Sequence, residues 1–282
     1  MPVAFPEYLA AKFALDERSL NREVRAAFLA ALRGLSRIRC LDAGAGTGAT
    51  ARRLLASGLT APLSVTALDR DASLLERARA DIASRAAAAQ DAQIRFVAEE
   101  LANHRPDHLY NVVTAHAFLD IVPLAPALRL FAGWLEPGGY LYATLNYDGA
   151  TVLADAYEDE AFEAGLLDYY NQTMESRRVY GQATGGAYSG RRLLALLPEP
   201  GFTVLAQGRS DWDIEPVDGR YRDDDAVCMT ALLEMIFSEG ERSRLFDPAQ
   251  LSRWYDERRR LIREGRLALH VQQVDVLARY DR

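Results

Sequence analysis

Apolar residues change their spacing along the chain, and each change marks an element. Leu20, Val24, Phe28, Ala31 and Leu35 recur at three- and four-residue steps, with Arg22, Glu23 and Arg25 on the other face. That is the pattern of an amphipathic helix, so residues 1–36 read as an N-terminal helical segment. From Arg37 the run Arg37 to Asp42 is short, apolar and extended, then glycines intervene, then Ala49 to Ser57 is helical. Leu63 to Leu68 reads as a second strand, ending at Asp69, and Ala72 to Ala89 as a helix rich in alanine and arginine. Ile94 to Ala98 and Tyr110 to Ala115 are the third and fourth strands, and Pro126 to Leu135 is a helix. Pro137-Gly138-Gly139 is a turn before a fifth strand, Tyr140 to Leu145.

Strands alternating with helices imply parallel βαβ units joined by right-handed crossovers. After Asn146 the rhythm breaks. Helical patches (Ala161 to Met174) and a glycine-rich piece, Gly181 to Gly190, come before a helix, Arg191 to Leu197, stopped by Pro198, Pro200 and Gly201. Phe202 to Gln207 reads as a sixth strand and Leu267 to Leu277 as a last one; between them Met229 to Phe237 and Pro248 to Arg263 read as helices. The expected fold is α/β: a doubly wound, mostly parallel seven-stranded sheet with helices on both faces, N-terminal helices, and two helical insertions forming a lid. The expected units are the helical segment 1–36, a core at 37–149, an insertion at 150–190, the rest of the sheet at 191–214 and 266–282, and a second insertion at 215–265.

Composition narrows the function. The 282 residues are 49% hydrophobic and 26% charged, ordinary for a globular protein able to bury its own core. The net charge of -7 argues against a nucleic-acid partner. Lys12 is the only lysine, so a phosphate-loop lysine and a mid-chain Schiff-base lysine are both excluded. Cys40 and Cys228 stand far apart and suit two reduced, buried thiols rather than a metal site or a disulfide framework. No basic stretch followed by an apolar run opens the chain, and no apolar run would span a bilayer. The expectation is a cytoplasmic protein, monomer or homodimer, with a small-molecule substrate, no nucleic acid, no membrane and no metal.

The strongest chemical signal is Leu41-Asp42-Ala43-Gly44-Ala45-Gly46-Thr47-Gly48, between the first strand and the next helix. Glycines there let the chain turn tightly and let a ligand approach backbone amides at a helix N-terminus. Asp69 ends the second strand, where an acid can accept hydrogen bonds from both ribose hydroxyls of an adenosine ligand. Loop and acid leave open a dinucleotide or S-adenosylmethionine. Asp42 favours the second, because a carboxylate just before the glycines would repel a pyrophosphate and suits an ammonium.

At this point the sequence resembles the class I S-adenosylmethionine-dependent methyltransferases. Leu41 to Gly48 resembles their hydrophobic-Asp/Glu-x-Gly-x-Gly-x-Gly motif, and Asp69 with Arg70 their second-strand acid. Phe96 to Leu101 resembles their third motif, with Glu99 and Glu100 where a small residue and Asp are usual; the resemblance implies an adenine contact from one of them, Glu100 first. Tyr110 to His116 resembles the fourth motif with Asn111 in place of Asp, and Leu135 to Leu141 the turn before the fifth strand. The resemblance covers residues 38–148. It implies S-adenosyl-L-methionine as cofactor, held by Asp42, Gly44, Ala45, Gly46, Thr47, Gly48, Asp69, Arg70, Glu99, Glu100, Leu101, Ala115 and His116. The implied activity is methyl transfer to a small molecule. A nicotinamide-dependent oxidoreductase would also explain the loop and Asp69, and a non-catalytic S-adenosylmethionine binder the whole motif set.

Ligands of open α/β sheets lie at the carboxyl ends of the strands. His116 follows the fourth strand and reads as a general base, an orienter, or a histidine held by the backbone; Asp120 beside it reads as a helix cap or loop anchor. As a base, His116 would favour oxygen over nitrogen or carbon as the acceptor atom. Tyr147 after the fifth strand reads as a wall of the acceptor site or as packing. His104 and His108 have the spacing of a helical metal pair, but Pro106 breaks that helix, so both read as surface loop residues. His270 reads as structural. The acids of 210–225 and the arginines Arg253, Arg258, Arg259, Arg260, Arg263 and Arg266 read as solvated faces. The aromatics of both insertions, Tyr157 to Tyr188 and Met229 to Tyr255, suit a lid above the cofactor.

Overall fold

The computed structural model describes residues 3–88 and 92–282. In chain order the elements are α1 (Phe5–Ser19), α2 (Arg22–Arg33), β1 (Ile38–Ala43), α3 (Ala49–Leu55), β2 (Leu63–Asp69), α4 (Ala72–Ala88), β3 (Ala92–Ala98), β4 (Tyr110–His116), α5 (Leu124–Trp134) and β5 (Leu135–Ala154). There follow α6 (Glu160–Ser176), β6 (Arg178–Val179), β7 (Gln182–Ala183), α7 (Ser189–Leu196), β8 (Phe202–Arg209), β9 (Trp212–Ile214), α8 (Asp225–Ser243), α9 (Pro248–Arg263) and β10 (Ala268–Tyr280). The sheet order is β3-β2-β1-β4-β5-β10-β8, with β9 added to β10. β1 to β5 are parallel neighbours, and β10 runs antiparallel to β5, β8 and β9. The α/β sheet is therefore mixed and mostly parallel, with one short strand more than the seven expected.

Alternation along the strands divides the core between two faces. Leu41 and Ala43 of β1 pack with α5 and α7 through Leu128, Phe131 and Leu193. Ile38 and Cys40 pack on the other side with Val24, Phe28 and Leu32 of α2. A further core joins α1, α6, α8 and α9, through Leu15, Leu166, Ile236 and Trp254 among others. Both cysteines are buried and free.

Several expectations need correction. The N-terminal segment is two helices, because Asn21 breaks the run: its side chain accepts from the Glu23 and Val24 amides and caps α2. The fifth strand continues to Ala154 rather than ending near Asn146, since β10 pairs with it out to Ala268↔Ala154. The two strands slip register between Val271/Gln273 and Val274/Val276. Asp275, fully buried there, accepts from the Leu145 and Asn21 amides. The helix expected over 72–89 is seen to Ala88, and residue 89 lies outside the described residues. Arg258 is not solvated. It is fully buried and holds Glu163 through two nitrogens at 2.7 Å, with Trp254 Nε1 donating to the same carboxylate, so α9 is bound to α6. Nor is 210–225 wholly a solvated loop: Trp212 to Ile214 form β9, and Asp225 is buried against Arg18.

Candidate active site

The glycine loop is shaped by three left-handed residues, Gly44 (φ 71°), Gly46 (φ 51°) and Gly48 (φ 83°), a conformation that strains any residue with a Cβ. Two of them also admit close neighbours. The Phe118 ring from the loop after β4 lies on Gly44, and a Cβ on Gly48 would meet Ile82 of α4 at 2.5 Å. The Gly44 and Ala45 amides donate to the Leu68 carbonyl, tying the loop to β2. Asp69 accepts from the Gly46 amide at 2.8 Å and from the Asp71 amide at 2.9 Å. The Glu99 amide donates to the Asp69 carbonyl, so the ends of β2 and β3 are held together. Glu99 accepts from His104 at 3.1 Å, while Glu100 faces Arg70 at 3.8 Å.

Asp42 is 1% exposed, and one of its oxygens accepts from Thr114 at 2.8 Å. The other, Oδ2, is buried with no hydrogen-bond partner. Burial raises its carboxyl to about 6, against the lowering effect of the Thr114 and Thr50 hydroxyls. A buried acceptor left unsatisfied costs on the order of 1–3 kcal/mol. Thr50 and Thr114 also line a cavity of about 50 Å³, with Arg53, His116, Tyr142 and Thr144 among others. The group implied for this site bears an ammonium, and the orphaned oxygen fits one.

His116 lies where β4 ends, as expected, but it is locked. Its Nδ1 lies 2.7 Å from Thr144 Oγ1, and its Nε2 3.1 Å from the Asp16 carboxylate. The Arg53 guanidinium lies 3.1 and 3.2 Å from the two ring nitrogens. Burial and the Arg53 charge push the ring down to about 3. A neutral ring with both nitrogens engaged has none to offer an acceptor. Asp16, with Lys12 and Glu17, belongs to α1 and went unnoticed in the sequence. Burial would raise its carboxyl, but Lys12 and His116 hold it well below the usual range. Its second oxygen accepts from Trp212 Nε1 at 3.1 Å. Glu17 pairs with Arg53, and Phe13 stacks on Arg52 at 3.7 Å, so α1 is fastened across the start of α3 and the end of β4.

Two further segments meet there. Asp120 is half-buried, its nearest cation is Arg177 at 3.9 Å, and burial raises its carboxyl to about 6 against the pull of Arg177. Tyr8 of α1 is raised well above its usual value by burial, then by the charges of Asp16, Cys228, Tyr170 and Asp120. Tyr170 of α6 is raised by burial and by Tyr147, with Asp120 contributing. Tyr147 donates to Asn171 of α6 at 2.9 Å, which turns it toward the insertion. Ala117 (φ 47°), just after β4, and Leu145 (φ 53°), buried within β5, are both left-handed without being glycine. Such strain gathers at sites whose surroundings over-determine it.

The other histidines lie outside this group. His104 is buried rather than on the surface, between Glu99 and the Tyr110 hydroxyl, with Trp134 edge-on to its ring. His108 pairs with Asp107, and His270 with Asp213 across β9 and β10. Asn111 binds the Arg39 amide and the Arg37 carbonyl, joining β4 to β1 instead of facing a ligand. Among the described residues no helix is long and apolar enough to cross a membrane.

Comparison with known proteins agrees with this geometry. Residues 40–139 match the family model for a methyltransferase domain. No curated protein sequence matches the chain. A solved protein of Bacillus halodurans C-125, described as a methyltransferase, is 18% identical over 91% of this chain and 100% of its own, with a TM-score of 0.54. The YcgJ protein of Bacillus subtilis is 12% identical over 93% of this chain and 100% of its own, with a TM-score of 0.53. At those identities the two structures speak for the fold, and the family model for the domain within it. Residues 40–139 thus match a methyltransferase domain, set in a sheet that shares its fold with these two solved structures.

Proposed function

We propose that the domain transfers a methyl group to a small-molecule acceptor, held between the end of β4 and a roof made by α1 and the insertions 150–190 and 215–265. S-adenosylmethionine, when bound, supplies an electrophilic methyl on its sulfonium. The observation that carries the reading is Asp42, whose buried, unpartnered Oδ2 stands beside a left-handed glycine loop. In this reading Asp42 takes the cofactor's ammonium, Gly44 to Gly48 give its backbone room, Asp69 takes the ribose, and Glu100 or Glu99 takes the adenine. Arg70 then only balances Glu100, and Leu101 packs beneath the adenine.

His116 serves as a positioning residue. With Arg53, Thr144 and Asp16 it fixes α1 against β4, so the preference for oxygen that rested on it as a base loses its support. Tyr147 orients α6 through Asn171 rather than meeting the reacting atoms. The roof favours a small acceptor: α1, α6, α8 and α9 share one apolar core with the extended ends of β5 and β10, and Tyr8 and Tyr170 belong to it. A crystal structure with S-adenosylhomocysteine tests this. At least one of Tyr8, Asp120 and Tyr170 is expected within reach of the sulfur's former methyl position. If no residue of α1 or of either insertion lies there, a large or macromolecular acceptor becomes the better reading.

A further inference from the structure

Three carboxylates stand at the carboxyl edge of β1 and β4, and they are not equivalent. Asp16 is fully engaged by Lys12, His116 and Trp212. Asp42 is walled in behind the glycine loop, bonded to Thr114. Asp120 alone accepts no hydrogen bond from another residue, and its one ion pair is loose, with Arg177 at 3.9 Å. Its backbone is nevertheless held firmly, since the Gly186 amide donates to the Asp120 carbonyl at 3.0 Å and the Gly185 amide to the Val122 carbonyl at 2.9 Å. Its nearest cation is Arg177, just after α6, and Lys12 and Tyr8 of α1 and Tyr170 of α6 are near enough to exchange charge effects with it. Lys12 is neutralised by Asp16. Arg177 keeps a buried Nη1 without a hydrogen-bond partner, so it does not satisfy Asp120 either.

We infer that the methyl acceptor is a small amine, whose ammonium is bound and then deprotonated by Asp120. This rests on the methyltransferase reading of the same site and adds the acceptor class. A firmly placed carboxylate whose only ion pair is loose favours a cation that can also donate hydrogen bonds. It disfavours a phenolate or carboxylate acceptor. Proton chemistry separates an amine from an alcohol. Asp120 titrates near 6, an ammonium at about 10 and a water-like hydroxyl near 16. Taking a proton is therefore uphill by about four powers of ten from the ammonium and about ten from the hydroxyl.

The step balances. The ammonium passes one proton to the Asp120 carboxylate. The freed nitrogen lone pair forms a bond to the methyl carbon as the carbon–sulfur bond breaks, its electron pair staying on sulfur. The methylated nitrogen then carries the positive charge that sulfur has lost, and Asp120 returns its proton to water.

The test begins with the binding of S-adenosylhomocysteine by calorimetry; its failure would count against the methyltransferase reading, not this one. The loaded protein is then titrated at pH 7.5 with 2-phenylethylamine, 2-phenylethanol and phenylacetate. The amine is expected to bind about tenfold or more tightly than either partner, the worth of one charge-assisted contact. Asp120→Asn should abolish that preference with S-adenosylhomocysteine affinity unchanged, and Asp120→Glu should retain it. With S-adenosylmethionine present, kcat/KM for the amine should rise with pH through about 6. An amine that binds no better than the alcohol, absence of binding by all three included, overturns the inference. So does a preference that survives in Asp120→Asn.

Discussion

The locked state of His116 has a thermodynamic signature. Its ring is brought down from 6.5 to about 3 by burial and by Arg53, so the folded protein holds it neutral where the unfolded chain would protonate it. A depressed folded value means that stability is full above the unfolded value and is lost as pH falls. Each unit is worth about 1.36 kcal/mol, so about 2 kcal/mol should go between pH 6.5 and 4.5, and about 4 kcal/mol by pH 3. Wild-type protein will not show this cleanly. Asp42 and Asp120 are both raised to about 6 from an ordinary 3.8, so each adds stability as pH falls through that window. The measurement is therefore a difference. Urea unfolding of wild type and His116→Asn at pH 7.5, 6.5, 5.5 and 4.5 reads the ring together with its partner Asp16, because Asp42 and Asp120 are common to both. The stability of wild type relative to the variant should fall by about 2 kcal/mol between pH 6.5 and 4.5. A difference that stays flat would refute the reasoning and return His116 to the role of an accessible base near 6.5.

Other consequences follow from the packing. Glu163→Gln leaves the fully buried Arg258 without its counter-ion, and should cost about 3–5 kcal/mol in thermal or urea unfolding; a loss below 1 kcal/mol would mean that the pair is solvated. Gly48→Ala forces a Cβ onto a left-handed residue and against Ile82, and should cost about 1–3 kcal/mol and weaken S-adenosylhomocysteine binding. Gly165→Ala in α6 meets nothing within 4 Å and should instead stabilise by about 0.5–1 kcal/mol, read by the same unfolding assay.

The sheet was legible because parallel βαβ units print their period on the sequence. The glycine loop was legible because left-handed turns at Gly44, Gly46 and Gly48 require glycine. What escaped was set by partners distant in sequence. The end of β5 is decided by β10, more than a hundred residues later, which holds Thr151 to Ala154 extended after local preference gives out. Arg258 looked like one of many helical arginines, and only the fold brings it to Glu163. The charges of α1 carry no local sign either, yet Asp16 meets His116 and Glu17 meets Arg53 across the sheet edge. Asp120 carried one local sign, its place after β4. That sign could not separate a capping acid from one left without a hydrogen bond, because the separation depends on where α6 and Arg177 come to rest.

The cofactor site tests the whole account most directly. Calorimetric titration of the purified protein with S-adenosylhomocysteine and with NADH, repeated on Asp69→Ala, decides it. The account predicts clear binding of S-adenosylhomocysteine, much weaker binding of NADH, and a loss of about 1.5–3 kcal/mol on removing the Asp69 carboxylate, the size expected for its charge-assisted hydrogen bonds. Tight binding of NADH with no response to S-adenosylhomocysteine would contradict it.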